Sequence, residues 1–207
     1  MYKHERNIVY SGLEPAAVQK AIIFLHGRGA SAEDILSLKY YLKLDDFAIL
    51  APEATNASWY PHSFLAPRSQ NQPALQSALD LISSLVEELQ AAGVSARHIY
   101  LLGFSQGACL SLEWSAQHAQ RLGGIFALSG GLIGQQIQKE LYTGNFDGTP
   151  VFIGCSDRDM HIPLQRVLAS AQIYRDMGAE VDEQIYTGMG HTVITDELDM
   201  FNKIITG

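Results

Sequence analysis

Apolar residues along this chain come in short, nearly unbroken runs separated by longer stretches with helical spacing. The runs are "AIIFL" (21–25), "FAILA" (47–51), "HIYLLG" (98–103), "GIFALSG" (124–130), "PVFIGC" (150–155) and "VDEQIYT" (181–187), all rich in β-branched or aromatic residues. Most lack polar alternation, the mark of strands covered on both faces of a parallel sheet. Between them, Leu75, Ala78, Leu79, Ile82, Leu85, Val86 and Leu89 recur at three-and-four spacing over 73–90, with Pro73 suited to the first turn and Gly93 to the exit. Ser31 with Asp34 forms a capping-box pattern, and "PLQRVLASAQIYRDMG" opens on Pro163 and closes on Gly178. Strand and helix alternating in this way predict an α/β fold, with an open, mostly parallel sheet and helices on both faces. Sites in such sheets form at the carboxyl ends of the strands. Residues 52–72 are predicted to be a long connection without helical period, and loops of that length commonly carry function.

Composition then narrows the partners. At 207 residues, 47% hydrophobic and 17% charged, the chain reads as one folded domain over 1–207, with no internal repeat or linker. A formal net charge of −8 opposes binding to nucleic acid or anionic lipid, where Lys and Arg must supply the counter-charge. The start, "MYKHERNIVYSG", carries no apolar signal segment, and no run approaches the ~18 apolar residues of a membrane span. A cytoplasmic protein without membrane insertion is expected. Cys109 and Cys155 have neither metal-finger spacing nor disulfide density, so reduced, buried thiols are expected. The oligomeric state stays open, a homodimer included.

Chemistry enters at "YLLGFSQGAC". Ser105 occupies a G-x-S-x-G pattern, Gly103 to Gly107, after a buried strand and before the helical run "ACLSLEWSAQHA". In that context the serine takes a strained strand-to-helix turn, and the glycines relieve crowding so that the hydroxyl is exposed. A neutral serine is a weak nucleophile and needs a base, itself held in the correct tautomer by a third group. The expected chain order is Ser, then Asp or Glu, then His. His118 lies in the helix after the serine and cannot reach back, whereas His191, in "TGMGHTVITDEL" after the last strand, can. The acid should follow the preceding strand, where "SDRD" offers Asp157 and Asp159. A rival chemistry uses Asp157, Asp159 and His161, which share a face of an extended segment, with His26 as ligands of a metal ion, but it leaves Ser105 and His191 without a role. A second rival is a non-catalytic ligand-binding protein on the same fold, which a missing triad group would favour; none is missing.

With "FLHGRGAS", "GFSQGA", "GCSDRDMHIP" and "GMGH" in that order, essentially the whole chain resembles the small α/β-hydrolases of the phospholipase/carboxylesterase family, related to acyl-protein thioesterases and more distantly to dienelactone hydrolases. The resemblance implies an α/β-hydrolase fold; that fold often gains a lid, but a chain this short has no insertion large enough for a separate lid domain, and no cofactor or metal is expected. The resemblance implies Ser105 as nucleophile and His191 as base, and selects Asp159, four residues before Pro163, as the acid. Asp157 then becomes a loop-capping neighbour and His161 a pocket-edge side chain. The backbone amides of Arg28, after the "HG" pair His26-Gly27, and of Gln106 are implied oxyanion donors; the group that counts there is backbone, so side-chain identity says little, and the Arg28 side chain is read as solvated, with steering of an anionic substrate as the alternative. Dienelactone hydrolases use cysteine where this chain has Ser105. Eukaryotic acyl-protein thioesterases carry an aspartate soon after the tryptophan of the long loop, where this chain reads "SWYPHSF", so the bacterial-type carboxylesterase branch fits best. Trp59, Tyr60 and Phe64 of that loop are expected to wall an open pocket suited to small-molecule esters of short to medium acyl chain, with thioesters and lysophospholipids also in reach.

Overall fold

The computed structural model describes residues 2–206. Seven strands, β1 (Ile8–Gly12), β2 (Lys20–Leu25), β3 (Phe47–Pro52), β4 (Ile99–Phe104), β5 (Gly124–Leu128), β6 (Pro150–Ser156) and β7 (Glu180–Tyr186), form one sheet in the order β1-β3-β2-β4-β5-β6-β7. Every pairing is parallel except β1 with β3. The six apolar runs become β2 to β7. β5 stops at Leu128 because Ser129 adopts φ +56° and turns the chain out of the sheet. β1 is an addition to the expected set: a short, half-exposed edge strand whose sequence, IVYSG, carries no continuous apolar run.

Side chains of β2 alternate between two cores, as the pleat requires. Ala21, Ile23 and Leu25 face α3 (Ala74–Ala91), α4 (Gln106–Gln117) and α5 (Leu164–Asp176), while Ile22 and Phe24 face α1 (Ala32–Leu36) and α6 (Thr195–Thr206). Helix α3 matches its apolar stripe, with Pro73 immediately before it and Gly93 beyond its end at φ +99°. The capping box at Ser31 and Asp34 forms with both reciprocal bonds, although the helix it opens is only five residues long. The 52–72 connection contains a 3-10 turn, Thr55–Ala57, and one turn of helix, α2 (Arg68–Asn71), too short to leave a periodic signal. Among the described residues, no helix is long and apolar enough to cross a membrane.

Candidate active site

Because β4, β6 and β7 run parallel, the segments leaving their carboxyl ends converge on one edge of the sheet. Ser105 follows β4 directly, at φ +55° and ψ −116°, a conformation that non-glycine residues rarely adopt. The flanking glycines are required by contact. A Cβ on Gly107 would lie 2.0 Å from the Leu25 carbonyl oxygen, and one on Gly103 would lie 2.3 Å from that of Gly107. Strand β2, helix α4 and the serine turn therefore meet backbone to backbone, and the strained turn is held in place.

His191 Nε2 stands 2.8 Å from Ser105 Oγ, and His191 Nδ1 stands 2.7 Å from Asp159 Oδ2. The other Asp159 oxygen, Oδ1, accepts from the amides of His161 (2.7 Å) and Ile162 (3.0 Å). Burial acts to raise the Asp159 pKa, but the His191 hydrogen bond and these two amides outweigh it and hold the carboxyl below its usual range. The imidazole lies between the Phe104 ring, 5.0 Å away, and the His161 ring, 4.9 Å away. Its loop is tied to the end of β6 through Gly190 N donating to Ser156 Oγ (3.1 Å) and Gly188 N donating to Asp157 Oδ1 (2.8 Å). Asp157 thus caps a loop, but the neighbouring one 31 residues away rather than its own turn. Ser156 had no distinguishing signal in the sequence. Among the described residues no cluster of three or more His, Cys, Asp or Glu could hold a metal ion. Asp157, Asp159 and His161 are directed to different partners, and His26 is buried elsewhere, with Nδ1 2.7 Å from the Gly27 oxygen and Nε2 accepting from Ala54 N.

A cavity of about 550 Å³ opens beside Ser105, lined by Arg28, Tyr60, Phe64, Gln106, Cys109 and Ile162 together with His62, His161 and His191. Of the three aromatics expected to wall a pocket, Tyr60 and Phe64 line this cavity and Trp59 does not. Trp59 is fully buried, packs its ring tilted at 36° against that of His26 with centroids 5.0 Å apart, and donates from Nε1 to the His26 carbonyl, which braces the turn carrying Gly27 and Arg28. An indole this large, with one donor, is better satisfied beneath the loop than at a wet rim. The side chains of Arg28 and Gln106 both have partners in the long loop. Arg28 donates to Ser58 Oγ, Pro61 O and His62 O, and Gln106 accepts from Trp59 N and donates to Tyr60 O. Both residues clamp the same loop. The Arg28 amide, which lies in a turn, makes no hydrogen bond among the described residues. The Gln106 amide opens α4, where first-turn donors have no intrahelical partner. Cys109 reaches the cavity as a neutral thiol, pushed up to about 12 by burial.

A mostly parallel seven-stranded sheet with helices on both faces, and these side chains gathered at the carboxyl ends of its strands, defines an α/β-hydrolase. The family model described as Phospholipase/Carboxylesterase matches residues 7–206. The chain is similar over its whole length to the crystal structure of a phospholipase/carboxylesterase from Dyadobacter fermentans, with 49% identity and a TM-score of 0.97, covering 100% of this chain and 99% of that one. It is also 30% identical to acyl-protein thioesterase 1 of Saccharomyces cerevisiae, over 92% of each chain, and 30% identical to acyl-protein thioesterase 1 of Kluyveromyces lactis, over 92% of this chain and 91% of that one. The chain belongs to the phospholipase/carboxylesterase family and is a hydrolase of that family.

Proposed function

We propose that the protein hydrolyses carboxylic esters of short to medium acyl chain, thioesters included, through an acyl-enzyme formed on Ser105. The observation that carries this reading is the unbroken hydrogen-bonded line from Ser105 Oγ through the His191 ring to Asp159. Asp159 accepts from Nδ1–H, which leaves Nε2 as the acceptor of the serine proton. Ser105 Oγ attacks the acyl carbon while its proton passes to His191. The amides of Arg28 and Gln106 receive the developing oxyanion, where preorganised donors act most strongly. Collapse expels the alcohol or thiol, which takes its proton from His191. A water molecule deprotonated by the same imidazole then releases the acid and restores the serine. The cavity volume of about 550 Å³ supports a small-molecule substrate. The excess of acidic residues argues against nucleic-acid and membrane partners, and the two free, buried cysteines support a cytoplasmic setting.

The test is turnover of 4-nitrophenyl esters of graded chain length by the purified protein. Ser105→Ala should lower kcat by roughly 10⁴-fold or more while the circular dichroism spectrum is retained. Undiminished turnover in that variant would refute the assignment.

A further inference from the structure

We propose that Arg28 makes the cavity selective for esters that carry a carboxylate, a deepening of the ester-hydrolase reading on which it rests. The first observation is a local inversion of charge. The chain holds 22 Asp and Glu against 14 Lys and Arg, yet among the described residues the cavity is lined by one formally charged side chain, the cation Arg28, and by no carboxylate. The Asp159 side chain behind His191 has no exposed surface, and its carboxylate is bonded to that imidazole. An unpaired cation at the wall of a cavity that holds no opposing carboxylate concentrates ligands of the opposite sign.

The second observation is the state of Arg28 itself. Its guanidinium donates from Nη1 to Ser58 Oγ (2.9 Å) and Pro61 O (3.0 Å) and from Nη2 to His62 O (2.7 Å), and its Cζ lies 5.9 Å from the centre of the Tyr60 ring. All three acceptors are neutral, and no ion pair among the described residues involves Arg28. The group is therefore fixed in place while its charge stays uncompensated. A guanidinium has five N–H donors, so three bonds to the loop leave two for a ligand. Two N–H groups on one planar cation match the two oxygens of a carboxylate. Arg28 lines the same cavity as Ser105, and its neighbour Gly27 lies against the serine, where a Cβ would come 3.5 Å from Ser105 Cβ, so one small ester can reach both residues.

Two matched pairs of substrates test this: 4-nitrophenyl butanoate against 4-nitrophenyl hemisuccinate, with the charge on the acyl side, and phenyl butanoate against 3-carboxyphenyl butanoate, with the charge on the alcohol side. In at least one pair the anionic ester should be favoured in kcat/KM by about ten-fold or more, chiefly through KM, as a charge-assisted bond implies. That preference should shrink as salt is raised, because Arg28 is exposed. Arg28→Gln should bring the ratio of anionic to neutral kcat/KM close to one, and Arg28→Lys should keep part of it. If Arg28 only pins the loop, substitution lowers neutral and anionic esters together and leaves the ratio where it was. That result overturns the proposal, as does a wild-type preference for the neutral member of both pairs. If the wild-type protein turns over no ester, the ester-hydrolase reading fails separately, and calorimetry with succinate decides the Arg28 assignment. Saturable binding that Arg28→Gln abolishes supports it; absent or unchanged binding overturns it.

Discussion

Two aspartates two residues apart carry different chemistry because of what their oxygens touch. Asp159 spends one oxygen on His191 and the other on two amides, whereas Asp157 holds Gly188. Asp159→Asn would offer the imidazole an amide and favour the wrong tautomer, so kcat should fall by on the order of 10³ to 10⁴. Asp157→Asn keeps an oxygen for the Gly188 amide and should cost about ten-fold or less by the same steady-state assay. Larger damage from Asp157→Asn would reverse the assignment. Asp159 was legible in the family's spacing to Pro163. The clamping side chains of Arg28 and Gln106 were not, because their acceptors lie 30 to 48 residues away in a loop without periodicity.

Helix α4 both presents the nucleophile and anchors the surroundings of the cavity. Its Glu113, fully buried, accepts from Arg68 of α2, from Tyr142 Oη (3.0 Å), from the Ile133 amide (2.9 Å) and from Gln117 Nε2 (2.7 Å). One carboxylate thereby joins α2, α4 and the segment after β5. Removing one partner of a buried ion pair leaves an uncompensated charge, so Glu113→Ala should lower unfolding free energy by about 3–5 kcal/mol in urea denaturation. Glu113→Gln, which keeps some of the hydrogen bonds, should cost less. A loss under about 1 kcal/mol for the alanine variant would show that the network contributes little. Nothing in "ACLSLEWSAQHA" separates this glutamate from a solvated one, since its partners come from elements whose packing the helix does not encode.

For the molecule as a whole, pH dependence should centre on Glu197, which has no exposed surface, an unpartnered Oε1, and Oε2 accepting from the Ile194 amide at the start of α6. Burial raises its pKa from 4.5 to about 7, against the lowering effect of that amide. As pH rises, the unfolded chain gives up this proton first, which favours unfolding. The stability present below about 4.5 is therefore lost progressively up to about 7 and stays lost above it, a contribution of roughly 3 kcal/mol. Urea midpoints between pH 4.5 and 8 should show this slope in the wild-type protein and a flatter profile in Glu197→Gln. Identical slopes would remove Glu197 from the account.

Six of the seven strands, the α3 stripe and the serine turn could be read from sequence because each depends on local periodicity or on contacts between near neighbours. The serine turn was legible through Gly103 and Gly107, whose absent side chains make room for backbone that touches there. The order Ser, Asp, His along the chain pointed to three loops that the structure brings together, since parallel strands deliver their carboxyl ends to one edge of the sheet. Strand β1 was missed because its pairing with β3 along the sheet edge, more than any pattern of its own, makes it a strand. Trp59 was placed on the wrong side of its loop for a similar reason. Whether an aromatic ring lines a cavity or braces the turn beneath it depends on which neighbour can accept its N–H, and here that neighbour is His26, 33 residues earlier. Loop side chains take their places from such long-range partners, which no local spacing records.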